Sequence, residues 1–165
     1  MPIKNNAHLP IGWRVCTEME AEKFGEKKFV GVVLIRDGMG LVIHETDKFH
    51  WRVCGGGARP NEGLRQTAVR EVMEEVGLVI DINKLIFIVG YINMDYTHVK
   101  SFYGYKLNES DSLIVTAPAL DEDENIDDCK IIDLRVVNKE HDKEHDMSLS
   151  LFHKLAIIET TKKLF

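Results

Sequence analysis

Apolar residues recur along this chain at two spacings. The densest stretch, residues 28–36 (KFVGVVLIR), is an unbroken run of Val, Ile, Leu and Phe around one glycine. Its length suits a strand buried on both faces and is too short to span a bilayer. Asp37-Gly38-Met39-Gly40 follows as a hairpin turn, because Asp-Gly tolerates positive φ, and residues 41–45 return as the next strand. Trp51, Arg52, Val53 and Cys54 form a short strand that runs into Gly55, Gly56 and Gly57. Residues 84–93, 99–107 and 130–134 carry further strand patterns, and Trp13, Val15 and Cys16 hint at a short one near the N-terminus. Residues 19–28 are charged and read as a turn of helix or a loop.

Helical spacing appears twice. In residues 61–76, Ala68, Val69, Val72, Met73 and Val76 form one apolar stripe, with Asn61 as candidate N-cap and Gly77 as C-cap. Residues 147–163 close the chain as a second amphipathic helix, with Leu151, Leu155 and Ile158 on one side. Strands with helices before and after them predict two helical layers around a mixed sheet, an α/β architecture. The chain shows no internal repeat and no linker rich in Gly, Pro or Ser, so residues 1–165 read as one domain.

The first helix raises a chemical question. Glu71, Glu74 and Glu75 stand at i, i+3 and i+4, on a different face from the apolar stripe. Like charges at that spacing destabilise a helix. A divalent cation removes the conflict, and Mg²⁺ prefers carboxylate oxygen. Three successive glycines upstream let the backbone approach a ligand or metal with no Cβ in the way.

Charge narrows the partners. The formal net charge is −6, with 27 acidic and 21 basic residues, which disfavours long nucleic acid. A small phosphorylated substrate stays compatible with it, since a bound metal supplies positive charge. Cys16, Cys54 and Cys129 lack CxxC spacing and cannot all pair, which fits buried thiols in a reducing cytoplasm. No secretory leader or membrane span is expected, and a homodimer is compatible with the sequence.

Residues 56–78 (GGARPNEGLRQTAVREVMEEVGL) resemble the Nudix box of the Nudix hydrolases at every defining position. Gly56 is followed by five free residues and Glu62; seven more lead to Arg70, Glu71, aliphatic Val72, Met73, Glu74, Glu75, Val76, Gly77 and aliphatic Leu78. Seven fixed residue types at a roughly 7% chance each make a coincidence on the order of 10⁻⁸ at one register. The resemblance implies a Nudix-type α/β/α sandwich with a mixed β-sheet. It also implies hydrolysis of a diphosphate bond in a nucleoside diphosphate-linked substrate, such as a dinucleoside polyphosphate, nucleoside triphosphate or nucleotide sugar. Mg²⁺, with Mn²⁺ as substitute, is the implied cofactor. Its expected ligands are Glu71, Glu74, Glu75 and the Gly56 carbonyl. Arg70 is expected to orient the carboxylates, Glu62 to steady the loop or join the metal shell, and Glu71, Glu74 or a downstream loop glutamate to act as base. Glu122 and Glu124, in the acidic run 121–124, are the loop candidates. Many family members have proline where Cys54 stands, so the loop shape is a point of departure.

Outside the box, Trp51, Arg52, Tyr96 and His98 are candidates for substrate contact, against a bland alternative of packing. A tyrosine 18 positions beyond Leu78 is similar to one found in dinucleoside polyphosphate hydrolases, while the absence of proline in residues 91–96 disfavours an ADP-ribose hydrolase. His141 and His145 have a metal-compatible i, i+4 spacing but polar surroundings and no obvious third ligand. Two rival classes are a catalytically silent nucleotide-binding or regulatory module of the same fold, and an isoprenoid diphosphate isomerase using a cysteine such as Cys54. The intact box favours hydrolysis over both.

Overall fold

The computed structural model describes residues 9–45, 50–111, 126–137 and 149–165. Its elements in chain order are β1 (Trp13–Cys16), α1 (Glu18–Lys23), β2 (Lys27–Arg36), β3 (Met39–Glu45), β4 (Cys54–Gly57), α2 (Leu64–Val76), β5 (Ile86–Asn93), β6 (His98–Lys106), β7 (Ile126–Asp133) and α3 (Leu151–Leu164). Short 3₁₀ turns occupy Ile82–Lys84 and Leu134–Val136.

The strands form one mixed sheet in the order β1-β5-β6-β2-β3-β7, with β4 also paired to β2. β2 and β6 run parallel, Val30 opposite Ser101, and the other pairs are antiparallel. β2 forks. Residues Phe29 to Val32 pair with β4, while Ile35 and Arg36 pair with β3. Asp37 and Gly38 make the tight turn into β3 with φ of 51° and 76°, the type I′ geometry expected of Asp-Gly.

Alternation along β2 divides the core into two layers. Val30, Val32 and Leu34 pack with Ala21 of α1 and with Leu64, Ala68, Val72 and Val76 of α2. Val33 and Ile35 pack on the other face with Phe102, Leu134, Ala156 and Ile157. The sheet is therefore sandwiched between α1 and α2 on one side and α3 on the other.

Several sequence expectations shift in detail. β7 starts at Ile126, ahead of the strand expected at 130–134, because pairing with β3 from Glu45 to Met39 extends it. The 51–54 strand is displaced toward the glycines: β4 begins at Cys54, and Trp51 and Arg52 make only isolated bridges, to Leu149 and Ile43. Asn61 is not the N-cap. It takes φ of 64° in the preceding turn, and Gly63 caps α2. Met73 is exposed and leaves the apolar stripe to Ala68, Val72 and Val76, with Val69 at its border. In α3 the buried residues are His153, Lys154, Ala156, Ile157 and Thr160, whereas Leu151 is exposed and Leu155 and Ile158 are half-buried.

Candidate active site

Helix α2 is held at both ends. Its first free amides are taken up by side chains: Gly63 N–H donates to Gln66 Oε1 at 2.9 Å, and Leu64 N–H to Glu22 Oε1 of α1 at 2.9 Å. Gly77 closes it at φ 76°, its N–H donating to the Met73 carbonyl, a left-handed position that suits glycine. Between these ends the helix lies across β4 and β2, so its carboxylates meet the glycine strand.

Glu71 and Glu75 are buried, 4% and 0% exposed, while Glu74 lies at the border. The expected conflict among the three carboxylates is resolved by two arginines. The Arg70 guanidinium donates to Glu62 through Nε (2.8 Å) and Nη2 (2.9 Å), and to Glu71 (2.8 Å) and Glu74 (3.0 Å) through Nη1. Nη2 also reaches the Gly57 carbonyl at 2.9 Å. Its bonds to Glu62, reinforced by the Thr67 hydroxyl and the Arg59 N–H, hold the Glu62 carboxyl down to about 2. Arg59 adds a bond to Glu74 at 3.3 Å.

Arg52 makes the second clamp. Its Nη2 lies 2.6 Å from Glu75 Oε2, its Nη1 3.3 Å from Glu75 Oε1, and its Nε donates to Glu45 at 2.6 Å. Nη1 also donates to the carbonyls of Val53 (3.0 Å) and Gly55 (3.1 Å). Burial works against the Arg52 charge, but Glu75 and Glu45 outweigh it and raise its affinity for the proton. Glu75 Oε1 accepts a further bond from the Gly55 N–H at 2.6 Å. Helix α2 and the glycine strand are thus joined through a buried ion pair.

Glu71 differs from its neighbours. Its Oε1 is held by Arg70, but its buried Oε2 has no hydrogen-bond partner among the described residues. Burial raises its carboxyl above the usual range, with Arg70 acting in the opposite direction. The carboxylate lies against the Gly56 Cα so closely that a Cβ at residue 56 would collide with it. Glycine at 56 therefore makes room for the Glu71 side chain. A buried, unpaired carboxylate oxygen is costly without a compensating partner, and a hard divalent cation supplies one. The residues fit such an ion: carboxylates of Glu71 and Glu74, with backbone carbonyls of the glycine strand nearby. Among the described residues no group of three His, Cys, Asp or Glu side chains is already gathered tightly enough to hold an ion. Arg52 and Arg70 stand among the carboxylates instead.

The other candidates fall in different places. Arg52, expected at substrate, is engaged with Glu45 and Glu75. Trp51 belongs to the core on the α3 face, its ring 5.1 Å from His44 and under Lys130 Nζ at 4.8 Å. Tyr96 sits at φ 59° in the turn between β5 and β6, half-exposed. Its ring is 5.1 Å from Phe24 and 5.7 Å from the Arg14 guanidinium, on the same side of the sheet as α2. His98 is exposed, its Nδ1 2.8 Å from Thr97 Oγ1. Glu122, Glu124, His141 and His145 lie outside the described residues. Cys54 is fully buried, its Sγ 3.8 Å from the Glu71 carbonyl, and burial pushes its thiol well up. No disulfide joins Cys16, Cys54 and Cys129 to one another.

Two contributors were missed in the sequence. Glu45 gave no signal, being a charged residue at a strand end. His153 of α3 accepts the Val53 N–H at Nδ1 (3.1 Å) and packs edge-on to Phe29 and Phe102. Burial, followed by Arg52 and Lys100, pushes it down to about 3, so it is neutral.

Comparison with known proteins agrees with this geometry. The family model of the NUDIX domain matches residues 26–152, well over half of the chain, and the chain belongs to the Nudix family. That membership supports hydrolase activity. Among solved structures, a MutT/nudix family protein from Enterococcus faecalis is similar at 18% identity and a TM-score of 0.61, over 84% of this chain and 61% of that one. The NUDIX domain of Shewanella oneidensis NrtR, solved with ADP ribose, is similar at 18% identity and a TM-score of 0.58, over 84% and 88% of the two chains. A bifunctional NMN adenylyltransferase/ADP ribose pyrophosphatase from Francisella tularensis, solved with AMP and a manganese ion, is similar at 15% identity and a TM-score of 0.55, over 88% and 46%. At these identities the likeness shows a shared fold. No curated protein sequence matches the chain. Among the described residues no helix is long and apolar enough to cross a membrane.

Proposed function

We propose that this protein is a Mg²⁺-dependent hydrolase that cleaves a diphosphate bond in a nucleotide substrate. The observation that carries the reading is Glu71 Oε2: a buried, unpaired carboxylate oxygen packed against Gly56 and one helical turn from Glu74. Glu71, Glu74 and the Gly56 carbonyl would hold the cation. When bound, it would screen the phosphoryl oxygens and acidify a water. Mn²⁺, seen in the Francisella tularensis neighbour, is the natural substitute.

The chain's own residues supply the rest. Arg70 ties Glu62, Glu71 and Glu74 to the Gly57 carbonyl and fixes the loop against the helix. Glu71, Glu74 or a downstream loop glutamate would accept the proton of the attacking water; where Glu71 Oε2 holds the cation, Glu74 or the loop carboxylate is left for that role. Glu75 anchors the glycine strand through the Gly55 N–H. Glu122 and Glu124 remain the candidates for a further loop carboxylate.

The substrate is a nucleoside diphosphate derivative: a dinucleoside polyphosphate, a nucleoside triphosphate or a nucleotide sugar. Two neighbours hold ADP ribose and AMP, which supports a nucleotide. Tyr96, exposed on the α2 side, is proposed to stack on the base, whereas Trp51 is a packing residue. The isomerase alternative rests on Cys54, whose thiol is buried against helix α2. We also infer a cytoplasmic location, from three unbridged cysteines.

The test is a hydrolysis screen of these nucleotides with Mg²⁺, with products separated by ion-exchange chromatography. Cleavage into a mononucleotide and a phosphorylated remainder supports the reading. Binding without turnover across the panel would leave a silent module.

A further inference from the structure

The two arginines do not stand in the same relation to a metal. Arg70 reaches the carboxylates from the outer side of α2 and leaves Glu71 Oε2 free. Arg52 reaches Glu75 from the sheet and engages both of its oxygens. Nη1 of Arg52 donates at once to Glu75 Oε1 and to the Gly55 carbonyl. Those are two hard oxygens on the glycine strand and the helix, the kind a divalent cation needs. The Arg52 side chain is 13% exposed, and its guanidinium is backed by Glu45, which holds it in place.

We propose that Arg52 is a built-in cation that competes with the metal at Glu75. In the metal-free protein its guanidinium compensates the buried Glu75 carboxylate. A metal ion gains Glu75 and the Gly55 carbonyl only when Arg52 swings away, with Glu45 as the carboxylate that keeps it nearby. Arg52 is then a positioning residue that sets how tightly the site takes metal. The inference rests on the metal assignment made above for the same site.

Competition of this kind multiplies the apparent metal affinity by the fraction of time the arginine is away. An arginine absent for roughly one tenth of the time corresponds to a tenfold loss. Arg52→Gln removes the positive charge and keeps a side-chain donor. By titration calorimetry it should bind Mg²⁺ about tenfold tighter than the wild type. Its melting temperature should be lower without metal and rise more on adding Mg²⁺. A variant that bound equally tightly or more weakly would overturn the proposal while leaving the metal assignment standing. No Mg²⁺ binding by either protein would overturn both.

If Arg52→Gln fails to fold, the wild type still decides. The Arg52 Nε–H resonance, hydrogen-bonded to Glu45 without metal, should shift along the Mg²⁺ titration with the same midpoint as the heat of binding. An Nε–H resonance that stayed fixed while Mg²⁺ bound would show that the guanidinium does not move, and the proposal would fall.

Discussion

Arg70 and Arg52 each pair with carboxylates of helix α2 and of one neighbouring segment, yet they build two unlike halves of one site. Around Arg70 the partners are Glu62, Glu71 and Glu74, all within one sequence stretch, and one oxygen of Glu71 is left unmatched. Around Arg52 the partners are Glu45 and Glu75, contributed by β3 and α2, and both oxygens of Glu75 are matched. The first half is under-satisfied and suited to receive a cation. The second is satisfied and suited to join the glycine strand to the helix. A carboxylate's place in a motif therefore does not settle its role; the number of donors already on it does.

The comparison is broken most easily at Glu71. Glu71→Gln keeps the shape and removes the charge, and kcat should fall by about 10²–10³-fold, as for loss of a key electrostatic group. Its melting temperature should change little, because Gln keeps the oxygen that accepts from Arg70 Nη1. Wild-type turnover in this variant would refute the division.

The second effect is on stability. Glu75→Ala leaves Arg52 buried without its main partner and should cost about 3–5 kcal/mol in urea unfolding. Glu74→Ala leaves Arg70 still paired with Glu62 and Glu71 and should cost less, about 1–2 kcal/mol. Equal losses would mean that the Arg52 half carries no special structural weight.

Acid should reveal the α3 side of the same strand. His153 titrates near 6.5 when unfolded and near 3 when folded. Between those values the unfolded state binds a proton that the native state does not, so stability falls as pH drops from about 6.5 toward 3. The slope from this residue approaches about 1.4 kcal/mol per pH unit. Arg52 and Lys100 act on it in the same direction. His153→Gln should flatten that slope. Glu62 adds a loss at lower pH, as the medium falls from 4.5 through about 2. A variant with an unchanged slope between pH 6.5 and 4.5 would remove His153 from the account.

The smallest effect is at the substrate. Tyr96→Ala should raise KM several-fold with kcat and stability little changed, within the roughly 1–3 kcal/mol of a base stack. Trp51→Ala should lower stability instead, since its ring packs in the α3-side core. The reverse pattern would exchange their roles.

Much of this was legible in the sequence. Residues 28–36, the Asp-Gly turn and the helix ending at Gly77 follow from local rules of pattern and φ, and the structure shows each near its expected place. The glycine at 56 was legible as a close approach, but what approaches is the Glu71 carboxylate, which only the packed structure shows. The Arg52 clamp was not legible. Its partners are 7 and 23 residues away, and it needs β3, the glycine strand and α2 brought together. His153 is more distant still, 100 residues from the amide it accepts. On pattern alone, Leu151, Leu155 and Ile158 outranked it, because helical periodicity does not register a buried polar residue whose partner is a distant backbone N–H just before β4.

The most direct measurement of the central claim is nucleotide cleavage under matched conditions with Mg²⁺ and with excess chelator, for the wild type and Glu71→Gln. The account predicts mononucleotide release by the wild type with Mg²⁺, none with chelator, and a loss of about two orders of magnitude in the variant. Undiminished release in chelator, or no release from any nucleotide with Mg²⁺ or Mn²⁺, would contradict it.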